Sequence, residues 1–211
     1  MKETSRPALS RDRIINSALD LLDEVGLDDL TVRRLADRLE VQSPALYWHL
    51  KDKDELLDAM AETVLLDAGM GPPQEGESWP DWLFRRAHAY RDAVLAHRDG
   101  ARVVMRLTSA SPSMLGEFEG ELRGLIDQGF TAELALATIT ATTHYATGFL
   151  LHEQSTPSPV SQREAAIDAG SAIHQAIRAG ATVLDRAAFD RGILLLIAGV
   201  ERELGERRVT P

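Results

Sequence analysis

The sequence contains no cysteine. This excludes a disulfide framework, a thiolate zinc site and a cysteine nucleophile, and it suits a reducing compartment. Long apolar stretches are also missing: the longest runs from Ile193 to Val200, eight residues with Gly199 counted, whereas a membrane-spanning helix needs about 20. Residues 1–10 are polar and lack the apolar core of a secretory signal. We therefore expect a cytoplasmic protein without a membrane partner.

The chain has no overall excess of basic residues, since its formal net charge is −10. The balance nevertheless varies along the sequence. Residues 1–53 carry a net charge of −1 and residues 54–211 one of −9, while residues 31–53 hold five basic groups against three acidic ones. Groove binding depends on local charge, and the total mainly sets solubility. The acidic total therefore does not exclude nucleic-acid binding by residues 31–53.

A length of 211 residues allows one large domain or two small ones. Hydrophobic residues make up 44% and charged residues 27%, which is ordinary globular usage and excludes a wholly disordered chain. Apolar residues recur at helical spacing almost throughout, without strand alternation or an internal repeat. We predict an all-α protein of about ten helices, two of them near residues 162–179 and 187–206.

Residues 31–50 have the pattern of a helix-turn-helix. A helix opens at Thr31, residues 40–42 form a three-residue turn, and Ser43 followed by Pro44 predicts an N-cap and a first-turn proline. The framework that aims the second helix at the major groove is apolar and consists of Leu35, Val41, Leu46 and Leu50. Asp52 to Glu55 is a capping box that starts the next helix.

The second helix of this motif presents six residues at or near the outside: Ser43, Pro44, Ala45, Tyr47, Trp48 and His49. Tyr47 can donate a hydrogen bond to a phosphate, Lys53 can add charge at the DNA backbone, and Arg33 is the candidate for bidentate guanine contact. The alternative is that Tyr47 and Trp48 are core aromatics of a helical bundle and that the arginines form a solvated face.

Residues 10–60 closely resemble the DNA-binding domain of the tetracycline-repressor (TetR) family, above all from Thr31 to Lys53. The pair Leu46-Tyr47 followed by His49 and Lys53 is a signature of that family. Weaker similarity to the regulatory domain of the repressor that names the family covers most of the remaining chain, at Gly76-Glu-Ser-Trp79, His97-Arg-Asp-Gly-Ala101, Gln128-Gly-Phe130, and His144 with Gly148. The resemblance implies an N-terminal three-helix helix-turn-helix domain over residues 1–55. It also implies a helical ligand-binding and dimerisation domain over residues 56–211.

The resemblance assigns DNA contacts by position. Base-contacting positions match Arg33, Ser43, Pro44, Ala45 and Tyr47, and positions that contact or support the DNA backbone match Trp48, His49 and Lys53. Ser43 and Ala45 replace a Gln and a Thr of the namesake repressor and reach less far, so we expect a different operator sequence. Glu40 stands where the family usually has Gly, which predicts positive φ with mild strain or a shifted turn.

The last helix is apolar on almost every side. One face is lined by Phe189, Ile193, Leu196, Val200 and Leu204, and another by Leu194, Leu195 and Ile197. Such a helix is buried on two sides, either against a partner chain or as the central helix of a monomer. The resemblance implies that it forms a four-helix dimer bundle with the helix near residues 131–154. A two-fold homodimer requires a roughly palindromic operator.

Position matching to the regulatory domain gives a candidate pocket for a bulky, mostly apolar small molecule, with Arg86 available to an anionic or carbonyl group. Its ligand-binding residues are Trp82, Arg86, Tyr90, Val104, Met105, Leu107, Met114, Phe118, Glu121, Leu122, Ile139, Thr143, Thr147 and His152. The alternative is that the aliphatic members are plain core and no ligand exists. The namesake repressor binds tetracycline with Mg²⁺, and the resemblance places Val104 at the position of its metal-binding His. Because valine cannot ligate Mg²⁺, we expect another effector and no metal or other cofactor.

Catalytic motifs are missing from the chain. It has no phosphate-binding Gly loop, no nucleophile elbow and no metal-ligand pair at i, i+4, so we expect no catalytic residues and no enzyme. The prediction is a ligand-responsive transcriptional repressor that binds a palindromic operator as a homodimer. The alternatives are an activator of the same fold and a ligand-independent DNA-binding protein.

Overall fold

The computed structural model describes residues 9–155, 171–180 and 182–209, with side chains described as far as Glu206. These residues form ten α-helices and no strand: α1 Arg11–Val25, α2 Val32–Leu39, α3 Ser43–Leu46, α4 Lys53–Asp67, α5 Trp79–Leu95, α6 Gly100–Val104, α7 Pro112–Asp127, α8 Ala132–Ser155, α9 Ala172–Arg178 and α10 Arg186–Val209. The predicted all-α fold is confirmed. The helix predicted near residues 162–179 is described from residue 172 only, and its first part lies outside the described residues.

Side-chain caps start α1 and α4, and the cap of α4 is the capping box that the sequence predicts. The Ser10 hydroxyl accepts from the Arg13 N–H at 3.3 Å, and the Asp52 carboxylate accepts from the Glu55 N–H at 2.8 Å. The predicted N-cap at Ser43 is wrong by one residue. The Gln42 carbonyl accepts from the Ala45 N–H at 2.8 Å, so Gln42 is the N-cap and Ser43 already belongs to α3.

The chain divides into two compact units. The first contains residues 1–69 and 92–115, and the second contains residues 70–91 and 116–211. In the first unit, α1 packs against α2 and α4, and α4 packs against α6. Because α4 has neighbours on two sides, it buries a second apolar row, Leu57, Ala61 and Leu65, beside the stripe of Leu56, Met60 and Val64.

The second unit has a core of large apolar side chains. Its fully buried members are Trp82, Leu83, Leu125, Ile139, Leu150, Phe189 and Ile193. α8 packs against α10, whose Ile197 is buried with Phe189 and Ile193 because residues four apart share a helix face. The predicted grouping of Ile197 with Leu194 and Leu195 is therefore wrong. Among the described residues, no helix combines the length and apolar character needed to cross a membrane.

Candidate DNA-binding and effector sites

The turn between α2 and α3 adopts the conformation that the sequence predicts. Glu40 has φ 56° and ψ 42°, which is the left-handed region. The Val41 N–H donates to the Ala36 carbonyl at 3.0 Å and ends α2. A non-glycine residue in this region costs roughly 1 kcal/mol, which the surrounding packing must offset. Of the two expectations for Glu40, a mildly strained left-handed residue and a shifted turn, the structure agrees with the first.

The two aromatic residues that directly follow α3 face solvent. Leu46 and Leu50 lie four residues apart and are buried, which directs the intervening positions outward. Tyr47 is 51% exposed and Trp48 is 88% exposed. The alternative that these two residues are core aromatics is therefore wrong. Of the other predicted contact residues near α3, Pro44 is exposed, and Ser43, Ala45 and His49 are half-buried.

Two cations of the first unit are available to an anionic partner. Arg33 and Lys53 are exposed and form no salt bridge with another described residue. The neighbouring arginines differ, since Arg38 pairs with Glu24 at 2.7 Å and Arg34 lies 3.8 Å from Asp29. Arg33 and Lys53 therefore keep free donors for phosphate or base edges.

Residues 97–111 are tied to α1 by polar contacts within the first unit. His97 Nδ1 lies 3.0 Å from Asp23 Oδ2, and the Arg98 N–H donates to Asp23 Oδ1 at 2.9 Å. The Leu27 N–H donates to Asp99 Oδ2 at 2.9 Å. The Leu27 N–H lies just beyond the end of α1 and the Arg98 N–H just before α6, so these bonds fix the start of α6 against the end of α1.

The same stretch makes further ionic and hydroxyl contacts. Arg102 holds both oxygens of Asp28, at 2.6 and 3.1 Å, and this bidentate contact lowers the pKa of the Asp28 carboxyl below its usual range. The N–H and hydroxyl of Thr108 donate to Asp58 on α4 at 3.0 and 2.6 Å, and the Ser111 hydroxyl donates to Glu62. Asp58 and Glu62 could not be identified from the sequence, because a carboxylate on a helix gives no sign of a partner some fifty residues away.

A polar cleft of about 450 Å³ lies beside these hydroxyl contacts, between the start of α4 and residues 108–111. Charged side chains of α1, α4 and the preceding turn dominate its lining, among them Arg11, Lys51, Asp54 and Glu55. Such a lining does not match the mostly apolar pocket predicted for an effector.

A buried ion pair lies in the second unit. Arg86 on α5 donates from Nε to Glu121 on α7 at 2.9 Å and from Nη1 to the Thr143 hydroxyl on α8 at 3.1 Å. Both charged side chains are buried, with Arg86 5% and Glu121 3% exposed. Burial raises the pKa of the Glu121 carboxyl above its usual range, and the Arg86 guanidinium opposes this shift.

A second polar contact lies one helical turn away. The Thr147 hydroxyl donates to the Thr143 carbonyl at 2.8 Å, so the Tyr90 hydroxyl at 2.6 Å is the donor to Thr147. Burial raises the pKa of Tyr90. The indole N–H of Trp82 donates to the Gly71 carbonyl at 2.9 Å. α5 and α8 thus align Arg86 with Thr143 and Tyr90 with Thr147, as the repeated spacing of four residues requires.

The fourteen predicted ligand residues are divided between the two units. Val104, Met105, Leu107 and Met114 belong to the first unit, and the remaining ten belong to the second. Val104 and Ile139 are buried, whereas Met105 is 58% exposed and His152 is also exposed. The structure brings together Arg86, Glu121 and Thr143, and Tyr90 and Thr147. The effector-site assignment as a whole stays a prediction.

Known proteins resemble both parts of the chain. Residues 14–60 match the family of bacterial regulatory proteins named tetR, and residues 72–204 match the tetracyclin repressor-like C-terminal domain. Tetracycline repressor protein class C of Escherichia coli is 36% identical over 201 residues, which are 92% of this chain and 91% of that protein.

Solved structures agree with these matches. A TetR variant from Acinetobacter baumannii AYE in complex with minocycline is 38% identical with a TM-score of 0.77, covering 92% of this chain and 94% of that chain. BioQ with its double-stranded DNA operator is 28% identical with a TM-score of 0.67, covering 92% and 98%. The matching family is named for regulatory proteins and the curated relative is named a repressor, which agrees with the prediction of a regulator and not an enzyme. Because family matches span both units and the repressor similarity covers nearly the whole chain, this chain belongs to the tetR family of bacterial regulatory proteins.

Proposed function

We propose that the chain is a ligand-responsive transcriptional repressor that binds a palindromic operator as a homodimer and is released by a mostly apolar small molecule. The observation that carries the proposal is the exposure of the two aromatic residues that follow α3. Tyr47 and Trp48 are exposed beside the buried anchors Leu46 and Leu50, in a segment that matches the tetR family. Large exposed aromatic side chains of this kind mark a surface that is covered by a partner.

In the proposed complex, α3 lies in the major groove. The side chains of Ser43, Pro44 and Ala45 face base edges, together with Arg33 from α2. The Tyr47 hydroxyl donates to a phosphate, Lys53 adds charge at the DNA backbone, and Trp48 and His49 support these contacts. DNA as the partner places the protein in the cytoplasm, and residues 1–55 form its DNA-binding domain.

Residues 56–211 provide the dimer and the effector site in this proposal. Leu194 and Leu195 leave an apolar strip on α10 that is 48% and 66% exposed, and Leu136 on α8 is 45% exposed. A second copy related by a two-fold axis would cover this strip. The dimer would then present two copies of the DNA-binding domain, residues 1–55, which is called the reading head below. Such a dimer requires an operator with two inverted half-sites.

The polar group of the effector is proposed to bind at Arg86. A buried ion pair costs desolvation free energy that apolar residues would avoid, so its presence in this unit favours a binding role. The guanidinium can exchange its contacts with Glu121 and Thr143 for contacts with a carboxylate or carbonyl oxygen. Tyr90 and Thr147 offer a second polar contact within the same unit.

Magnesium does not fit the residues present. The family relationship suggests a metal-bound tetracycline, but Val104, at the position of the metal-binding His, supplies only hydrocarbon. Mg²⁺ requires oxygen ligands and water at close to octahedral geometry. We therefore propose an effector that binds without a metal.

Release is proposed to pass through residues 97–111. Asp23 and Asp28 hold this stretch against α1, and Asp58 and Glu62 hold it against α4. An effector that favours a different arrangement of this stretch also favours a different position of α4 and hence of the DNA-binding domain. The resulting change in the free energy of DNA binding cannot exceed the difference in effector binding free energy between the two arrangements.

The test starts from a random pool of DNA duplexes, from which the full-length protein selects its preferred sequence. We expect the selected duplex to contain an inverted repeat and to bind more tightly than a scrambled duplex at moderate salt. Tyr47→Ala should abolish binding of the selected duplex while sedimentation still shows the dimer. Tyr47→Phe is the matched control and should lose only about tenfold or less in affinity, the worth of one hydrogen bond. Unchanged binding of the selected duplex by Tyr47→Ala would reject the assignment of α3.

A further inference from the structure

A single carboxylate connects three parts of the reading head. Glu55 lies in the first turn of α4, and its Oε1 accepts from Arg11 Nη1 of α1 at 2.7 Å. Its Oε2 accepts from the backbone N–H of Lys51 at 2.7 Å. The same Arg11 nitrogen donates to the backbone carbonyl of His49, three residues after the end of α3, at 3.2 Å.

We propose that Glu55 is a positioning residue for DNA recognition, which holds Arg11 so that the guanidinium fixes the chain at the carboxyl end of the recognition helix α3. The inference rests on the proposed DNA-binding function. In this inference, Arg11 holds the His49 carbonyl in place within the DNA-binding domain.

The recognition helix needs such an external support because it is very short. α3 spans only Ser43–Leu46, a single turn, and its N-cap residue Gln42 makes no side-chain cap hydrogen bond. Helices of this length have few internal bonds and are held by their surroundings. Leu46 and Leu50 anchor one side of the segment. The Arg11 contact with the His49 carbonyl adds a polar restraint between these two anchors.

The Glu55 network matters for orientation more than for stability. The side chains of Arg11 and Glu55 are 45% and 30% exposed, and ion pairs at such positions add little to the free energy of unfolding. The Lys51 N–H, followed by Arg11, holds the pKa of the Glu55 carboxyl below its usual range, so it is ionised at neutral pH. Base readout depends on side-chain positions within about 0.5 Å, so loss of a restraint lowers selectivity before it unfolds the domain.

Electrostatics and positioning predict opposite results when Glu55 loses its charge. Removing a negative charge from a DNA-binding head strengthens attraction to phosphates, so electrostatics alone predicts tighter binding of any duplex. In Glu55→Gln the amide nitrogen would face one of the two donors, Arg11 or the Lys51 N–H, and that contact would be lost. Positioning therefore predicts weaker binding of the selected duplex only.

The experiment compares Glu55→Gln with Asp54→Asn, which removes the same charge one residue earlier from an exposed side chain. Dissociation constants are measured for the selected and the scrambled duplex, each over a range of salt concentrations. We expect Glu55→Gln to bind the selected duplex about tenfold more weakly and the scrambled duplex no more weakly than the natural chain. Asp54→Asn should bind both at least as tightly as the natural chain does, and the unfolding temperature of both variants should stay within about 3 °C.

Glu55→Asp keeps the charge and shortens the side chain by one methylene group, so it covers the case in which Glu55→Gln fails to fold. It should also lose affinity for the selected duplex only. In the Arg11→Ala background, Glu55→Gln should have no more effect than Asp54→Asn, since the contact is already absent. The inference is overturned if Glu55→Gln and Glu55→Asp both prefer the selected duplex over the scrambled duplex as strongly as the natural chain does. A natural chain without sequence preference would instead overturn the proposed function itself.

Discussion

At the scale of single residues, Arg86 and Glu121 form a buried ion pair in the second unit. Both charged side chains lose their hydration on folding, which costs free energy, and the Thr143 hydroxyl accepts one further hydrogen bond from the guanidinium. Removing one partner leaves an uncompensated buried charge, whereas replacing both by apolar side chains removes the problem. The pair is therefore a poor device for stability and a suitable one for recognising an anionic or carbonyl group.

We expect Arg86→Met to lower the free energy of unfolding by about 3–5 kcal/mol, and Arg86→Met with Glu121→Met to recover most of that loss. Without Arg86, the pKa of Glu121 rises further above its unfolded value. The folded state then binds more protons, so stability falls as pH increases from the usual glutamate range through the raised pKa. The destabilisation by Arg86→Met should therefore be larger at pH 8 than at pH 5.

Urea unfolding at fixed protein concentration measures both effects. Equal destabilisation at the two pH values would show that Glu121 is not the group left unpaired. A double variant no more stable than Arg86→Met would show that the loss comes from packing and not from the buried charge.

At the scale of elements, the contact between the end of α1 and the start of α6 depends on close backbone approach. Gly26 ends α1 with φ 80°, and a Cβ there would lie 3.1 Å from both Arg98 Nε and Asp99 Oδ2. A Cβ on Gly100 would lie only 2.1 Å from the Val94 carbonyl oxygen. Because that oxygen is backbone, it cannot move aside by changing a rotamer. Glycine at position 100 thus permits the turn that brings α6 to α1.

Gly100→Ala should destabilise the protein by about 1–3 kcal/mol, since the backbone must shift to admit the methyl group. Gly120→Ala is the matched control, because Gly120 lies inside α7 and a Cβ there meets no atom within 4 Å. Alanine is the better helix former, so this control should stabilise by about 0.5–1 kcal/mol. Thermal unfolding of both variants measures the difference, and similar behaviour of the two would contradict the close approach at Gly100.

At the scale of the whole molecule, an acidic chain is proposed to bind DNA through a small, locally basic head. The net charge of −10 limits non-specific association, while Arg33 and Lys53 remain available at the reading surface. The exposed apolar strip on α10 is the other feature at this scale. Leu194 and Leu195 follow one another on the side away from Phe189 and Ile193, and a second copy would remove them from water.

Leu195→Glu should convert the dimer to monomer, because a second copy would have to bury an unpaired carboxylate. Sedimentation equilibrium measures the association, and circular dichroism checks that the helices remain. Leu115→Glu is the matched control, since Leu115 is 56% exposed on α7, and it should leave the dimer intact. A dimer that persists in Leu195→Glu would place the interface elsewhere on the molecule.

Features that depend on residues within about four positions were predictable from the sequence. The cap at Asp52 and the outward Tyr47 and Trp48 follow from local hydrogen bonding or helical periodicity. The position of the α3 cap was missed by one residue because backbone geometry, and not side-chain preference, sets it at Gln42. The spacing of four residues also decided the burial of Ile197, which the prediction assigned to the wrong face.

The sequence by itself thus determined the helices, their caps and the face that α3 presents, because each follows from forces between near neighbours in the chain. Only the tertiary structure decided which distant groups meet. Arg86 and Glu121 are 35 residues apart, Asp58 and Thr108 are 50 apart, and Arg11 and Glu55 are 44 apart. Such pairs depend on how whole helices pack. Helix packing is set by the summed burial of many apolar side chains, which cannot be recognised from any single motif.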